Sequence, residues 1–191
     1  MKEFEKYVSK NMNILDVGCG YGRTLNELHH QGFINLTGMD FSQGMIDRGL
    51  KNYPDLNIFK NDEDTLPFPE NEFDAVILIA VLTCTPDSHK QDQIVEEISR
   101  VLKDGGILYI NDYSINTDKR NISRYQKFED KYGTYGIFEL PEGAILRHHT
   151  SEHVFRITKN FKQIVFEEMI YDTMNGNESK GFYYIGQLKK L

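Results

Sequence analysis

The residues best equipped for chemistry stand near the start of the chain, where Ile14-Leu15-Asp16-Val17 runs into Gly18-Cys19-Gly20-Tyr21-Gly22. A short apolar run of strand formers is broken by glycine at every second position, and Leu25 and Leu28 follow at helical spacing. Strand, glycine turn and helix in that order open an α/β nucleotide-binding unit. Glycine has no Cβ, so the turn is sharp and a ligand can lie against bare backbone. Asp16, just before the turn, would sit poorly beside a pyrophosphate but suits a ligand with a positive amino group. The dinucleotide fingerprint G-x-G-x-x-G sets its third glycine where helix and strand pack closely. Counted from Gly18 that position holds Arg23, and the third glycine comes one residue early at Gly22. The spacing therefore argues against a nicotinamide oxidoreductase. The turn by itself leaves open a tight strand–helix connection with no ligand.

A second acid strengthens the binding reading. Phe33 to Asp40 reads as a strand ending in a carboxylate, roughly 20 residues beyond the turn, where an α/β nucleotide fold grips a ribose diol. The two oxygens of an ionised carboxylate can accept from two vicinal hydroxyls at once. The alternative role for Asp40 is to cap the next helix. Phe41 and Met45 follow, with the flat and polarizable surfaces that suit a purine face, or equally a core.

The elements that must position these groups follow in order. Helix runs to about Tyr53 and is closed by Pro54; Leu56 to Phe59 is a third strand, and Asn61 to Pro69 an acidic loop. Glu72 to Ala80 is a continuous apolar run, as expected of a strand buried on both faces of a parallel sheet. Its end, Ile79 to Cys84, should emerge beside the glycine turn, where ligands of open α/β sheets lie. Pro86 and Asp87 introduce a helix with Ile94, Val95, Ile98, Val101 and Leu102 on one face. Gly105 and Gly106 are expected to cap that helix. Ile107 to Ile110 is a fifth strand, followed by Asn111-Asp112-Tyr113.

These landmarks resemble the class I S-adenosylmethionine-dependent methyltransferases of the small-molecule type. The likeness rests on Leu15 to Gly22 against L-D-x-G-C-G-x-G and on Asp40 closing the second strand. It rests further on Asp62 to Phe68 against D-x-x-x-L-P-F, and on Arg100 to Leu108 against R-V-L-K-P-G-G-x-L, with Asp104 for the proline. It covers Met12 to Ile110 and the remainder more loosely. The resemblance implies a Rossmann-like, doubly wound, mostly parallel seven-stranded sheet of order 3-2-1-4-5-7-6, closed by an antiparallel C-terminal hairpin. It implies S-adenosyl-L-methionine as cofactor, leaving as S-adenosyl-L-homocysteine. Gly18, Cys19 and Gly20 would cradle the methionine, with Asp16 at its amino end. Asp40 would hold the ribose; Asp62 would accept from the adenine amine and the Glu63 N–H would meet a ring nitrogen. Phe41, Met45 and Ile79 complete the expected cofactor set.

Residues 1–191 are expected to form one domain. Family members often carry a longer N-terminal segment that closes over the cofactor. Met1 to Lys10, apolar at Phe4, Tyr7 and Val8, reads as a short helical lead-in, so the cover should come from elsewhere or from a partner. Residues 114–146, with Tyr125, Phe128, Tyr132, Tyr135 and Phe138 among charges, read as an inserted helix and loop: either that cover or a surface excursion. Thr150 or Ser151 caps a last helix, and Phe161 to Tyr171 and Gly181 to Leu188 form a hairpin about Asn175-Gly176-Asn177. Asp112 and His148 are the candidate bases, with Tyr113 and His149 beside them.

Composition narrows the partners. Net charge is −7, from 22 basic and 29 acidic side chains, which disfavours a surface that tracks phosphates and hence nucleic acid as substrate. An N-P-P-Y element is missing after the fourth strand, where Thr83-Cys84-Thr85-Pro86 stands, and Cys84 lacks the basic surroundings expected of a nucleophile acting on RNA. The two cysteines suggest neither a disulfide framework nor a metal site. With no signal-peptide core and no membrane-length apolar run, a soluble cytoplasmic enzyme acting on a small molecule is expected. The alternative is a protein that binds the same cofactor without transferring from it.

Overall fold

The computed structural model describes residues 1–172 and 178–190. The expected Asn175-Gly176-Asn177 turn lies outside the described residues. A 3-10 turn at Phe4–Lys6 leads into β1 (Asn13–Val17), α1 (Arg23–His30), β2 (Asn35–Asp40), α2 (Gln43–Asn52), β3 (Asn57–Lys60), β4 (Phe73–Ile79), α3 (Ser88–Val101) and β5 (Leu102–Tyr113). Then come α4 (Lys119–Tyr132), β6 (Ile137–Glu139), β7 (Ile145–Arg147), α5 (Ser151–Ile157), β8 (Phe161–Asp172) and β9 (Glu178–Leu188).

Seven strands form one sheet in the order β3-β2-β1-β4-β5-β9-β8. The first five are parallel, and β9 runs antiparallel to both β5 and β8. With the seven strands counted along the chain this is the expected order, including the closing hairpin.

Strand alternation explains the two faces. Ile14, Ala75, Ile77, Ile107 and Tyr109 pack on one side with Phe4, Leu28 and Phe33, while Leu15, Val76, Leu78, Leu108 and Ile110 pack on the other with Val95, Ile98 and Val154. Both faces are covered, which is why β4 reads as an unbroken apolar run. The lead-in is part of this packing: Phe4 is fully buried, its ring centroid 5.5 Å from that of Tyr109.

Two expectations need correction. Gly105 and Gly106 do not cap α3. The helix ends at Val101, Leu102 already pairs with Phe73, and the next pairings resume at Ala75 and Ile107. Gly105, at φ +75°, lies in the bulge that absorbs the extra residues. Residues 114–146 hold more than a helix and loop: β6 and β7 form a second, two-stranded antiparallel sheet.

Candidate functional site

Two cavities open at the carboxyl ends of the parallel strands. The first, of about 240 Å³, is lined by Val17, Gly18, Asp40, Phe41, Asp62 and Glu63, with Leu66, Val81, Ile94 and Glu97 closing it. The second, of about 340 Å³, is lined by Tyr113, Arg120, Arg124, Phe138, Leu146 and His148. The segment after β4 lies between them: Val81 and Thr85 face the first, Ala80, Thr83 and Cys84 the second. Ala80, at φ +54°, is one of two non-glycine residues with positive φ among those described, and the chain turns there out of the sheet.

The glycine turn is shaped by what touches it. Gly18 sits at φ +74°, and a Cβ there would come within 2.4 Å of Val81 Cγ2. The Gly18 and Cys19 N–H groups both donate to the Met39 carbonyl, at 2.8 and 2.9 Å, while Gly20 N–H donates to Asp40 Oδ2 at 2.8 Å. With its donors committed, the turn offers a ligand acceptors rather than N–H groups. That favours a cation over the pyrophosphate of a dinucleotide.

Asp40 is held at both oxygens, since Ser42 N–H also donates to Oδ1 at 2.9 Å. A carboxylate oxygen accepts more than one hydrogen bond, so each keeps capacity for a hydroxyl. Ser42, rather than Asp40, caps α2, accepting from Met45 N–H. Asp16 lies beneath the turn, 2% exposed and outside the cavity lining, with no hydrogen bond to its carboxyl among the described residues. Burial, and then the nearby Asp40 charge, push its pKa up to about 8.

The remaining expected cofactor residues divide. Asp62 and Glu63 line the first cavity; Lys60 pairs with Asp62 and holds its carboxyl below the usual range. Their loop is stapled by α3, where Glu97 accepts from Leu66 N–H at 2.8 Å and Arg100 donates to the Leu66 and Phe68 carbonyls. Phe41, 73% exposed, stands at the cavity edge, whereas Met45 does not line it. Cys19 packs with Leu25, Ile46 and Ile58, and burial pushes its thiol up. Ile79 packs toward the Phe4 and Tyr109 side of the sheet, so neither side chain faces the cavity.

The candidate bases are both tied down. Asp112, at the end of β5, accepts from Tyr113 N–H at 2.7 Å and Thr83 N–H at 3.2 Å; burial raises its pKa to about 7. His148 lines the second cavity with its ring stacked on Tyr113 at 5.2 Å, and its Nδ1 lies 2.6 Å from the Tyr125 hydroxyl. Burial first, then Arg124 and Arg120, bring its pKa down to about 3.

Sequence reasoning missed the strap that holds the partition. Gln91, fully buried on α3, donates from Nε2 to the Leu82 and Thr85 carbonyls at 3.0 and 2.7 Å. The same Nε2 lies 3.0 Å from His149 Nε2, and Gln91 Oε1 accepts from His153 at 2.6 Å. Arg147 donates to the Pro86 carbonyl and Ser88 hydroxyl at 3.0 and 2.8 Å. The run Arg147-His148-His149 was a visible signal, but a polar residue on the apolar face of α3 was the stronger one.

Fold and site together define an open α/β protein with a chamber rich in carboxylates at the switch point of its sheet. The methyltransferase domain family matches residues 15–110, half of the chain. The protein belongs to that family, among the class I S-adenosylmethionine-dependent methyltransferases. It is similar to a SAM-dependent methyltransferase of Methanosarcina mazei, with a TM-score of 0.92 at 25% identity over 100% of this chain and 99% of that one. A demethylmenaquinone methyltransferase of Renibacterium salmoninarum is 34% identical over 67% of this chain and 49% of its own. One from Listeria innocua is 29% identical over 90% of this chain and 77% of its own. The chain thus spans about half the length of the first of these curated relatives. Among the described residues no helix is long and apolar enough to cross a membrane, and no cluster of side chains could hold a metal ion.

Proposed function

We propose that the protein binds S-adenosyl-L-methionine in the first cavity and transfers its methyl group to a small molecule in the second. The observation that carries this reading is the Asp40 carboxylate, aimed by Gly20 and Ser42 N–H groups and open to a vicinal diol. Asp16, protonated beneath the turn in the ligand-free protein, would give up its proton on meeting a positive amino acid end, and Asp62 and Glu63 fit the adenine edge. The cofactor supplies a carbon already activated by positive sulfur. The chain's own residues then have to hold two ligands in line and keep water out, which accounts for much of such a barrier.

Residues 114–146 act as the cover, because α4, β6 and β7 supply the outer wall of the second cavity. Burial keeps His148 neutral, and its Nδ1 is engaged with the Tyr125 hydroxyl; Nε2 can take a proton only in the tautomer whose Nδ1–H donates to Tyr125. Neither it nor Asp112 is a strong, free base. The site therefore suits an acceptor that is nucleophilic in the form in which it binds. The acidic net charge favours a small molecule over nucleic acid, and two free thiols suit a reducing cytoplasm.

A second reading, cofactor binding without transfer, draws on the same weakness of the bases. Calorimetry with S-adenosyl-L-methionine, S-adenosyl-L-homocysteine and a nicotinamide dinucleotide tests binding, and release of S-adenosyl-L-homocysteine with an acceptor panel tests transfer. Binding of the dinucleotide alone would overturn the proposal.

A further inference from the structure

The two cavities sort charge. The first carries Asp40, Asp62, Glu63, Asp64 and Glu97 against Lys90, while the second carries Arg120 and Arg124. These arginines sit one turn apart on α4, a spacing at which like charges repel and weaken a helix. Arg120 has Asp118 at 4.0 Å, both about half exposed. Arg124 has no ion pair among the described residues, and its Nε is buried without a hydrogen-bond partner. Arg100 pairs with Glu97 and Arg156 with Asp92, while Arg147, whose Nε is likewise buried without a partner, has its outer nitrogen on the Pro86 carbonyl and the Ser88 hydroxyl. Arg124 lies over the Phe138 ring, its guanidinium carbon 3.6 Å from the centroid. Stacking occupies one flat face and leaves the in-plane N–H fork, which matches the oxygens of a carboxylate or phosphate. Across the same cavity Thr83 Oγ1 is also buried without a partner, so two walls hold unanswered polar atoms.

Resting on the reading that the second cavity receives the acceptor, we propose that the acceptor carries an oxyanion, a carboxylate or phosphate, gripped by Arg124 with Arg120. An oxyanion paired to guanidinium is a poor nucleophile, so the anion is a handle and the methyl goes to another atom. The parallel Tyr113 and His148 rings, 9° apart, give a flat acceptor body a wall to lie on.

The test uses benzoate and phenyl phosphate, with neutral benzamide as control, titrated into protein saturated with S-adenosyl-L-homocysteine. At least one anion should bind wild type and benzamide should not; R124Q should weaken that binding about tenfold or more, the scale of a lost charge-assisted hydrogen bond. R124K, which keeps the charge without the fork, should fall between. Should R124Q fail to fold, R120Q and R124K provide the comparison. The stronger of the two anions tells carboxylate from phosphate. No binding of either anion to wild type, or unchanged affinity in every folded variant, overturns the assignment. Failure of S-adenosyl-L-homocysteine to bind would instead overturn the function proposed above.

Discussion

Burying a carboxyl without partners is costly unless it keeps its proton, and Asp16 does so with a pKa of about 8. The unfolded chain has already lost that proton above about pH 4. The contribution is therefore full at low pH and is lost as pH rises through 8; Asp112, at about 7, has the same sign. His148 and His153, lowered to about 3 and 4, act oppositely, losing stability as pH falls below their ordinary 6.5. Between pH 7 and 9 the carboxyls dominate. Denaturant titrations should show the ligand-free protein losing about 1 kcal/mol through Asp16 over that range, a loss that D16N removes. Equal losses in both proteins would count against it. D16N should also bind S-adenosyl-L-methionine more weakly. D40A should lose about 1.5–3 kcal/mol of cofactor affinity by calorimetry in a folded protein, the value of a charged hydrogen bond. Asp16 and Asp40 were legible because their distance from the glycines is set by strand and helix lengths. Arg124 was not, because its meaning depends on α4 lying against Phe138, which no local spacing encodes.

At the scale of elements, the partition depends on two contacts. Gly18→Ala places a methyl against Val81, so it should lower both stability and cofactor affinity, and Val81→Ala in the same chain should return part of the loss. If melting and binding do not improve in the double variant, the clash is not what limits the turn. Gln91→Leu takes the side-chain donor from the Thr85 carbonyl and one of two donors from the Leu82 carbonyl, which keeps the Thr85 N–H, and should cost about 1–3 kcal/mol. Faster amide exchange at Val81 to Thr85 would show that the strap steadies that segment. Strands and helices to β5 were readable from periodicity, apart from the bulge at Gly105. The β6–β7 pair was not, since three-residue strands carry too little alternation to register. Its position is instead fixed by remote bonds such as Arg147 N–H to the Thr83 carbonyl at 2.9 Å.

For the molecule as a whole, the lead-in is a plug of the sheet rather than a cover for the cofactor. Phe4→Ala should cost about 3–5 kcal/mol, read as a lowered melting temperature, because a fully buried ring leaves a cavity against Tyr109. A melting temperature near that of wild type would show the sheet closing without it. The strand order came from resemblance more than from physics, as hydrophobic patterning says which residues are buried but not which strands are neighbours. The opposite charge of the two chambers was hidden because it arises from residues far apart in the chain.

The walls of the two chambers have different origins in the polypeptide. The carboxylate-lined chamber draws on residues from Val17 to Glu97, the arginine-lined one on Tyr113 to Ser179 apart from the shared stretch after β4. On the function proposed above, substitutions within residues 119–147, which supply Arg120, Arg124, Phe138, Leu140 and Leu146, would change what the second chamber admits while the first keeps its walls.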